Sequence, residues 1–237
     1  MLNCNIYERA YYERIAYWIV DICSNGWTGS YHPSIPVGIF PNCNLRTILP
    51  NGLSDYRKGR RMVRYYTGIG SRNTPLAICI LMSAIAKKYA NAGWVLRSGG
   101  AEGADTAFEN GAVIVHGKQE IYIPWDGFNQ HYHGRTSLLV TDKLTLESAS
   151  KLASEVHPAW DRCSVAVKKL HIRNTFQVLG ANLLCPSSLL ICWAPIQGDS
   201  IKGGTRTAWE IAKLYDIPRF NLADPRTEHK FRAFVAK

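Results

Sequence analysis

The sequence predicts an α/β fold: a doubly wound, mostly parallel sheet of about five or more strands with helices on both faces, preceded by an irregular N-terminal extension. Three observations predict it. From Met62 onward, short apolar runs alternate with helix-length stretches; glycine clusters directly follow three of those runs; and residues 188–194 (SLLICWA) form the unbroken apolar run expected of a strand buried on both faces.

Taken in order, 63–67 (VRYYT) reads as the first strand and runs into Gly68-Ile69-Gly70-Ser71-Arg72. Thr74 and Pro75 supply an N-cap and a first-turn proline for a helix to about Asn91, which Gly93 closes. Residues 94–97 are a second strand that passes into Ser98-Gly99-Gly100-Ala101-Glu102-Gly103-Ala104-Asp105, and a helix follows to about Gly111. A short apolar run at 121–124 makes the third strand. A helix spans about 165–184, residues 188–194 are the fourth strand, a helix covers 205–215, and 218–222 is the fifth strand. The stretch 126–151 has no clear period and reads as a loop over the ligand site. Parallel strands joined by helical crossovers bind ligands beyond their carboxyl ends, where the strand order reverses.

Residues 1–61 differ from the rest. They carry three cysteines, a Pro- and Gly-spaced run at 30–52 and the basic cluster Arg57, Lys58, Arg60 and Arg61, with 7–22 as the only amphipathic helix candidate. The expected organisation is a dispensable extension, 1–61, and a ligand-binding domain, 62–237, with Met62 a candidate internal start.

With 46% apolar and 19% charged residues in 237, wholesale disorder is excluded, and no stretch has the roughly 18 uninterrupted apolar residues of a membrane span. No secretory leader is legible at the N-terminus, so a cytoplasmic protein without membrane contact is expected. Cysteines at 4, 23, 43, 79, 163, 185 and 192 form no CxxC pair, so neither a disulfide framework, a metal site nor a cofactor is expected. A net charge of +10 favours phosphorylated ligands or polyanions as partners.

Three glycine clusters are candidate phosphate sites. In the first, Gly68 and Gly70 let backbone approach a ligand, with Ser71 and Arg72 as donors; the plainer reading is a tight turn. In the second, Ser98, Gly99, Gly100 and Gly103 expose amides at a helix start, where Asp105 either caps the helix or meets a ribose hydroxyl. In the third, Gly203, Gly204, Thr205, Arg206 and Thr207 open a helix, and Glu210 lies about one turn on, facing the same cleft or merely the solvent. A fourth segment sets Arg173 and Asn174 among Leu170, Phe176 and Leu179, where a cation needs an anionic partner. His157 and His171 are candidate bases or structural histidines.

Together YTGIGSR at 66–72, SGGAEGAD at 98–105, HIRN at 171–174 and GGTRTAWEIAKLYDIPRFNL at 203–222 resemble the SLOG superfamily of Rossmann-like nucleotide-binding proteins, over roughly 62–222. The resemblance is to its DprA/Smf DNA-processing and LOG (lonely guy) branches, in the style of stand-alone bacteriophage members, which implies a host-cytoplasm address. The LOG branch implies a phosphoribohydrolase acting on the N-glycosidic bond of a nucleoside 5′-monophosphate. Its PGGxGTxxE motif matches at Gly203, Gly204, Thr207 and Glu210, and its helical arginine falls on Arg173, which makes Glu210 and Arg173 the catalytic candidates. Lys202 and Arg206 depart from that motif. The DprA branch implies single-stranded DNA binding instead, and a non-catalytic receptor or sponge for a nucleotide-derived signal is the third alternative. Relatives in both branches commonly form dimers, so the resemblance also implies a homodimer.

Overall fold

A computed structural model describes residues Val63–Lys237, which form one compact unit. The expectations placed on 1–61, the helix at 7–22 and the basic cluster included, lie outside the described residues.

The elements are β1 (Tyr65–Gly70), α1 (Leu76–Asn91), β2 (Val95–Ser98), α2 (Ala104–Ile114), β3 (Gln119–Tyr122), β4 (Ser137–Leu138), α3 (Lys143–Val156), a 3-10 turn (Trp160–Arg162), α4 (Val165–Leu179), β5 (Leu189–Trp193), β6 (Ile196–Gln197), β7 (Ser200–Ile201), α5 (Thr205–Leu214), β8 (Arg219–Asn221) and α6 (Pro225–Ala236). Six strands form one sheet in the order β4-β3-β2-β1-β5-β8, every neighbouring pair parallel, while β6 and β7 make a small antiparallel hairpin. The doubly wound α/β architecture is therefore the one the sequence predicts. Its order reverses between β1 and β5, where the crevice of such sheets opens.

The period of two along the central strands sorts the core into two faces. Tyr66, Leu96 and Ile191 pack with Ile78, Met82, Ile85 and Phe108 of α1 and α2 and with Phe231 of α6. Their neighbours Ile69, Leu190 and Cys192 pack on the other face with Val178, Leu179, Ala208 and Ile211 of α4 and α5.

Four local expectations are corrected, and one helix is new. Strand β1 runs on through Gly68 and Gly70, because α2 and β5 approach so closely: a Cβ on Gly68 would stand 2.8 Å from the Phe108 ring, and one on Gly70 would stand 2.7 Å from the Trp193 carbonyl. Helix α1 starts at Leu76 without a side-chain cap, since Thr74 Oγ1 donates to the Ser71 carbonyl (2.7 Å). The 126–151 stretch is not a plain loop but holds β4 and most of α3, which Asp142 caps by accepting from Thr145 N–H (2.8 Å). The apolar stripe of α3 sets Ala149 and Ala153, both wholly buried, beside Leu146, Leu152 and Val156. Helix α4 ends at Leu179 because Gly180 takes φ +80°. Finally, Asp224 and Pro225 start an unpredicted helix, α6, which seats Phe231 against Phe220 (5.6 Å between rings).

Candidate functional site

Beyond the carboxyl ends of β1 and β2 and the start of α5 lies an open cleft of about 720 Å³. Gly70, Ser71, Arg72, Asp105, Arg173, Asn174, Gly203, Gly204, Thr205 and Arg206 line it, together with His157, His171, Gln177 and Lys202. Ten of the predicted residues thus meet in one place. Gly68, Ser98, Gly99, Gly100, Gly103, Thr207 and Glu210 do not border it.

The glycine clusters divide by what their amides do. In the first two, the protein's own side chains consume the donors. Gly70 N–H donates to Asp105 Oδ1 (3.0 Å), Gly100 N–H to Glu109 Oε1 (2.9 Å) and Ala101 N–H to Asp105 Oδ2 (3.4 Å). With the Gln177 amide turned to suit its neighbours, its oxygen accepts from Gly99 N–H (3.0 Å) and faces Arg173, while its nitrogen donates to Asn174 Oδ1 (3.0 Å). Ser71 is likewise tied into its turn, its N–H donating to the Trp193 carbonyl (2.9 Å) and its hydroxyl accepting from Asn73 N–H (3.1 Å). Packing explains these glycines: a Cβ on Gly99 would overlap the Arg173 guanidinium, and Gly103, at φ +81°, lies against the Arg72 carbonyl.

The third cluster is different. A Cβ on Gly203 or Gly204 would meet no heavy atom within 4 Å, and Gly204 stands at the N-cap of α5, which has no side-chain cap. Asn174 Nδ2 donates to the Gly204 carbonyl (2.8 Å), and Gly203 and Gly204 both border the cleft. Bare backbone at a helix start favours an anion. Arg72 and Lys202 are exposed on the cleft rim, and neither they nor Arg206 form an ion pair among the described residues.

Under the loops lies a buried charge cluster. Arg173 Nη1 stands 3.6 Å from Asp105 Oδ2, and both side chains are nearly inaccessible. Burial pushes the Asp105 carboxyl up to about 6, opposed by Arg173 and by the amides of Gly70, Ala101 and Gly99. Glu109 is pushed further, to about 8, by burial and by the charge of Asp105. At neutral pH, Glu109 therefore holds its proton, and its 3.4 Å approach to His131 Nε2 is a contact between neutral groups, because burial lowers His131. Asp105 serves the loops as an acceptor; it caps no helix.

On the opposite wall His171 Nδ1 pairs with Thr207 Oγ1 (2.8 Å), and burial, His157 and Arg173 pull this imidazole down to about 4. The expectation that Glu210 faces the cleft is corrected: its carboxylate accepts from Ser200 Oγ and borders a neighbouring hollow with Asp199, Lys213 and Leu214. At one turn past Arg206 its side chain follows the outer face of α5, while Thr205, Thr207, Ala208 and Ile211 take the inner one.

Sequence reasoning missed Glu109, Gln177 and Lys202. Glu109 is one helical turn beyond Asp105, and Gln177 one turn beyond Arg173, so both share faces with predicted residues; that i, i+4 spacing was the available signal. No helix among the described residues is long and apolar enough to cross a membrane.

No family model and no curated protein matches the sequence. Among solved structures, the chain is similar to DNA processing protein A from Helicobacter pylori, a protein described for its single-stranded DNA binding mode. The two share 16% identity and a TM-score of 0.47 over 73% of this chain and 79% of that one.

Proposed function

We propose that the chain binds single-stranded nucleic acid, gripping phosphodiester groups with Arg72, Lys202 and Arg206 above the bare Gly203–Gly204 turn. The observation that carries this reading is a pair of buried donors on the cleft wall, Arg173 Nε and Arg206 Nε, that have no acceptor among the described residues. A buried donor left unpaired costs about 1–3 kcal/mol, and an anionic oxygen in the cleft relieves it. Cationic and aromatic surface continues past the cleft, which favours a polymer. The Trp160 ring lies 6.2 Å from His157, Lys168 Nζ is 5.4 Å above that indole, and Arg162 of the same 3-10 turn and Lys169 of α4 are exposed. A single strand uses such a surface by stacking a base on the aromatic ring and tracking its backbone along the cations.

A free nucleotide is the second reading, favoured by a cleft volume in the range of small-molecule sites. It uses the same phosphate contacts. Glycosidic hydrolysis has less support. The reaction needs a carboxylate at the anomeric carbon, yet Glu210 is engaged by Ser200, and Asp105 is buried and bonded to amides. The test is fluorescence anisotropy with a labelled oligonucleotide across a salt series, with mononucleotides as competitors and free base monitored alongside. Binding that weakens linearly in log affinity against log salt supports the proposal. Absence of binding at low salt overturns it, competition by a mononucleotide at equal molar concentration selects the second reading, and released base reinstates hydrolysis.

A further inference from the structure

We infer that His157, Cys163 and His171 form a zinc site in the wall of the cleft. The sequence separates these residues as H-x5-C-x7-H, without the short ligand spacing that signals a metal site, and the fold closes the gap. His157 ends α3 with extended backbone, the 3-10 turn at Trp160–Arg162 bends the chain back, and Cys163 stands where that turn stops. Ser164 then caps α4 by accepting from Val167 N–H, and His171 follows on the second turn of that helix. Two chain directions therefore converge on one point.

Ligand atoms of the three residues all lie within 4.8 Å of one another. Cys163 Sγ is 3.9 Å from His157 Nδ1 and 4.0 Å from Nε2, and the two imidazole rings are 4.3 Å apart. A tetrahedral zinc ion with bonds of about 2.0–2.3 Å holds its ligand atoms roughly 3.3–3.6 Å apart. The cluster reaches that geometry by contracting about an ångström, within the freedom of a side chain on a surface turn. One thiol and two imidazoles are a donor set that suits zinc over calcium or magnesium, which demand oxygen.

The surroundings complete such a site. Thr207 Oγ1 occupies His171 Nδ1 and so presents Nε2 as the ligand atom, the role an outer hydrogen bond plays around a metal-bound histidine. Binding expels the Cys163 thiol proton, which at present is directed to the Ala159 carbonyl (3.5 Å), and breaks the weak 3.2 Å bond from Ala159 N–H to His157. Three protein ligands leave a fourth position open, and His157 and His171 both border the cleft, so that position takes water or a ligand oxygen from the cleft side.

The probe is cobalt(II), added without nucleic acid to the full chain after chelator treatment, so that this test does not depend on the proposed function. Expected is one equivalent with thiolate-to-cobalt charge-transfer absorption and the strong visible bands of a tetrahedral ion, both erased by zinc competition. Cys163→Ser removes the charge-transfer band, while its circular dichroism stays that of the parent. His157→Ala keeps the charge-transfer band but weakens cobalt affinity by at least about 10-fold, in the range that damage to a metal site produces. Absence of the charge-transfer band in the parent, or its persistence in Cys163→Ser, overturns the inference. If Cys163→Ser fails to fold, unchanged cobalt affinity in His157→Ala overturns it as well.

Discussion

Arg173 and Asp105 form a buried ion pair, 3.6 Å from Nη1 to Oδ2, that joins α4 to the first turn of α2 beneath the glycine loops. Breaking one side of such a pair strands the other charge away from water. Arg173→Ala is therefore expected to destabilise the chain by about 3–5 kcal/mol, read as a lower urea midpoint at unchanged slope. Stability within 1 kcal/mol of the parent would show Arg173 to be a ligand contact alone.

Glu109 should make stability fall with pH in a defined window. Its folded pKa of about 8 lies above the ordinary 4.5, so the folded chain keeps a proton that the unfolded chain releases. That contribution is complete below about 4.5 and lost as pH rises to about 8. Asp105 acts in the same sense but only up to about 6, and His171, with its folded pKa lowered to about 4, acts oppositely but only below 6.5. Between pH 6.5 and 8 the Glu109 carboxyl remains, with a slope of at most about 1.4 kcal/mol per unit. Chemical denaturation across that window should show the fall in the parent and lose it in Glu109→Gln; an identical slope in both would reject the assignment.

Two glycines that look alike in the sequence should respond in opposite ways. Alanine at Gly99 has to displace the Arg173 guanidinium, so Gly99→Ala is expected to unfold more easily by about 1–3 kcal/mol. Gly204 has helical φ −61° and ψ −26° with open space around it, so Gly204→Ala should stabilise by up to about 1 kcal/mol while weakening oligonucleotide binding. Paired thermal melts and anisotropy titrations decide it, and a Gly204→Ala protein of undiminished affinity would mean that no ligand lies on that turn.

Charge removal should separate the cleft from its neighbour. Arg72→Ala, Lys202→Ala and Arg206→Ala are each expected to lower the salt slope of single-strand binding by about 0.7, one phosphate apiece. Glu210→Gln should leave oligonucleotide affinity within about 2-fold, since its carboxylate faces Ser200. A tenfold loss on that substitution would return Glu210 to the binding site.

Much of this protein was legible from local pattern. Parallel strands at 188–194 and 218–222, and glycine turns after three strands, follow from apolar runs and from residues that tolerate close backbone approach. Arg173 and Asn174 stood out as polar groups on an apolar helix face, and they do border the cleft. Helix α3 was legible but overlooked: Leu146, Ala149, Leu152, Ala153 and Val156 recur at helical spacing and turn toward the core. The meeting of His157, Cys163 and His171 had no local signature at all, since it depends on a turn folding back along a helix.

That short buried strands alternate with helices, and so build a parallel doubly wound sheet with its crevice beyond the strands' carboxyl ends, was determined by the sequence alone, because apolar runs and helical crossovers are local patterns. The strand order β4-β3-β2-β1-β5-β8 was decided by the fold. Only the tertiary structure decided which glycine amides remain free. Gly99, Gly100 and Gly203 are equally capable of offering an N–H to a phosphate, but Gln177 and Glu109 accept from the first two, while Gly203 borders the cleft with open space where a Cβ would stand. A donor's availability depends on what else is brought within hydrogen-bond distance of it, and that is a property of residues far apart in the chain.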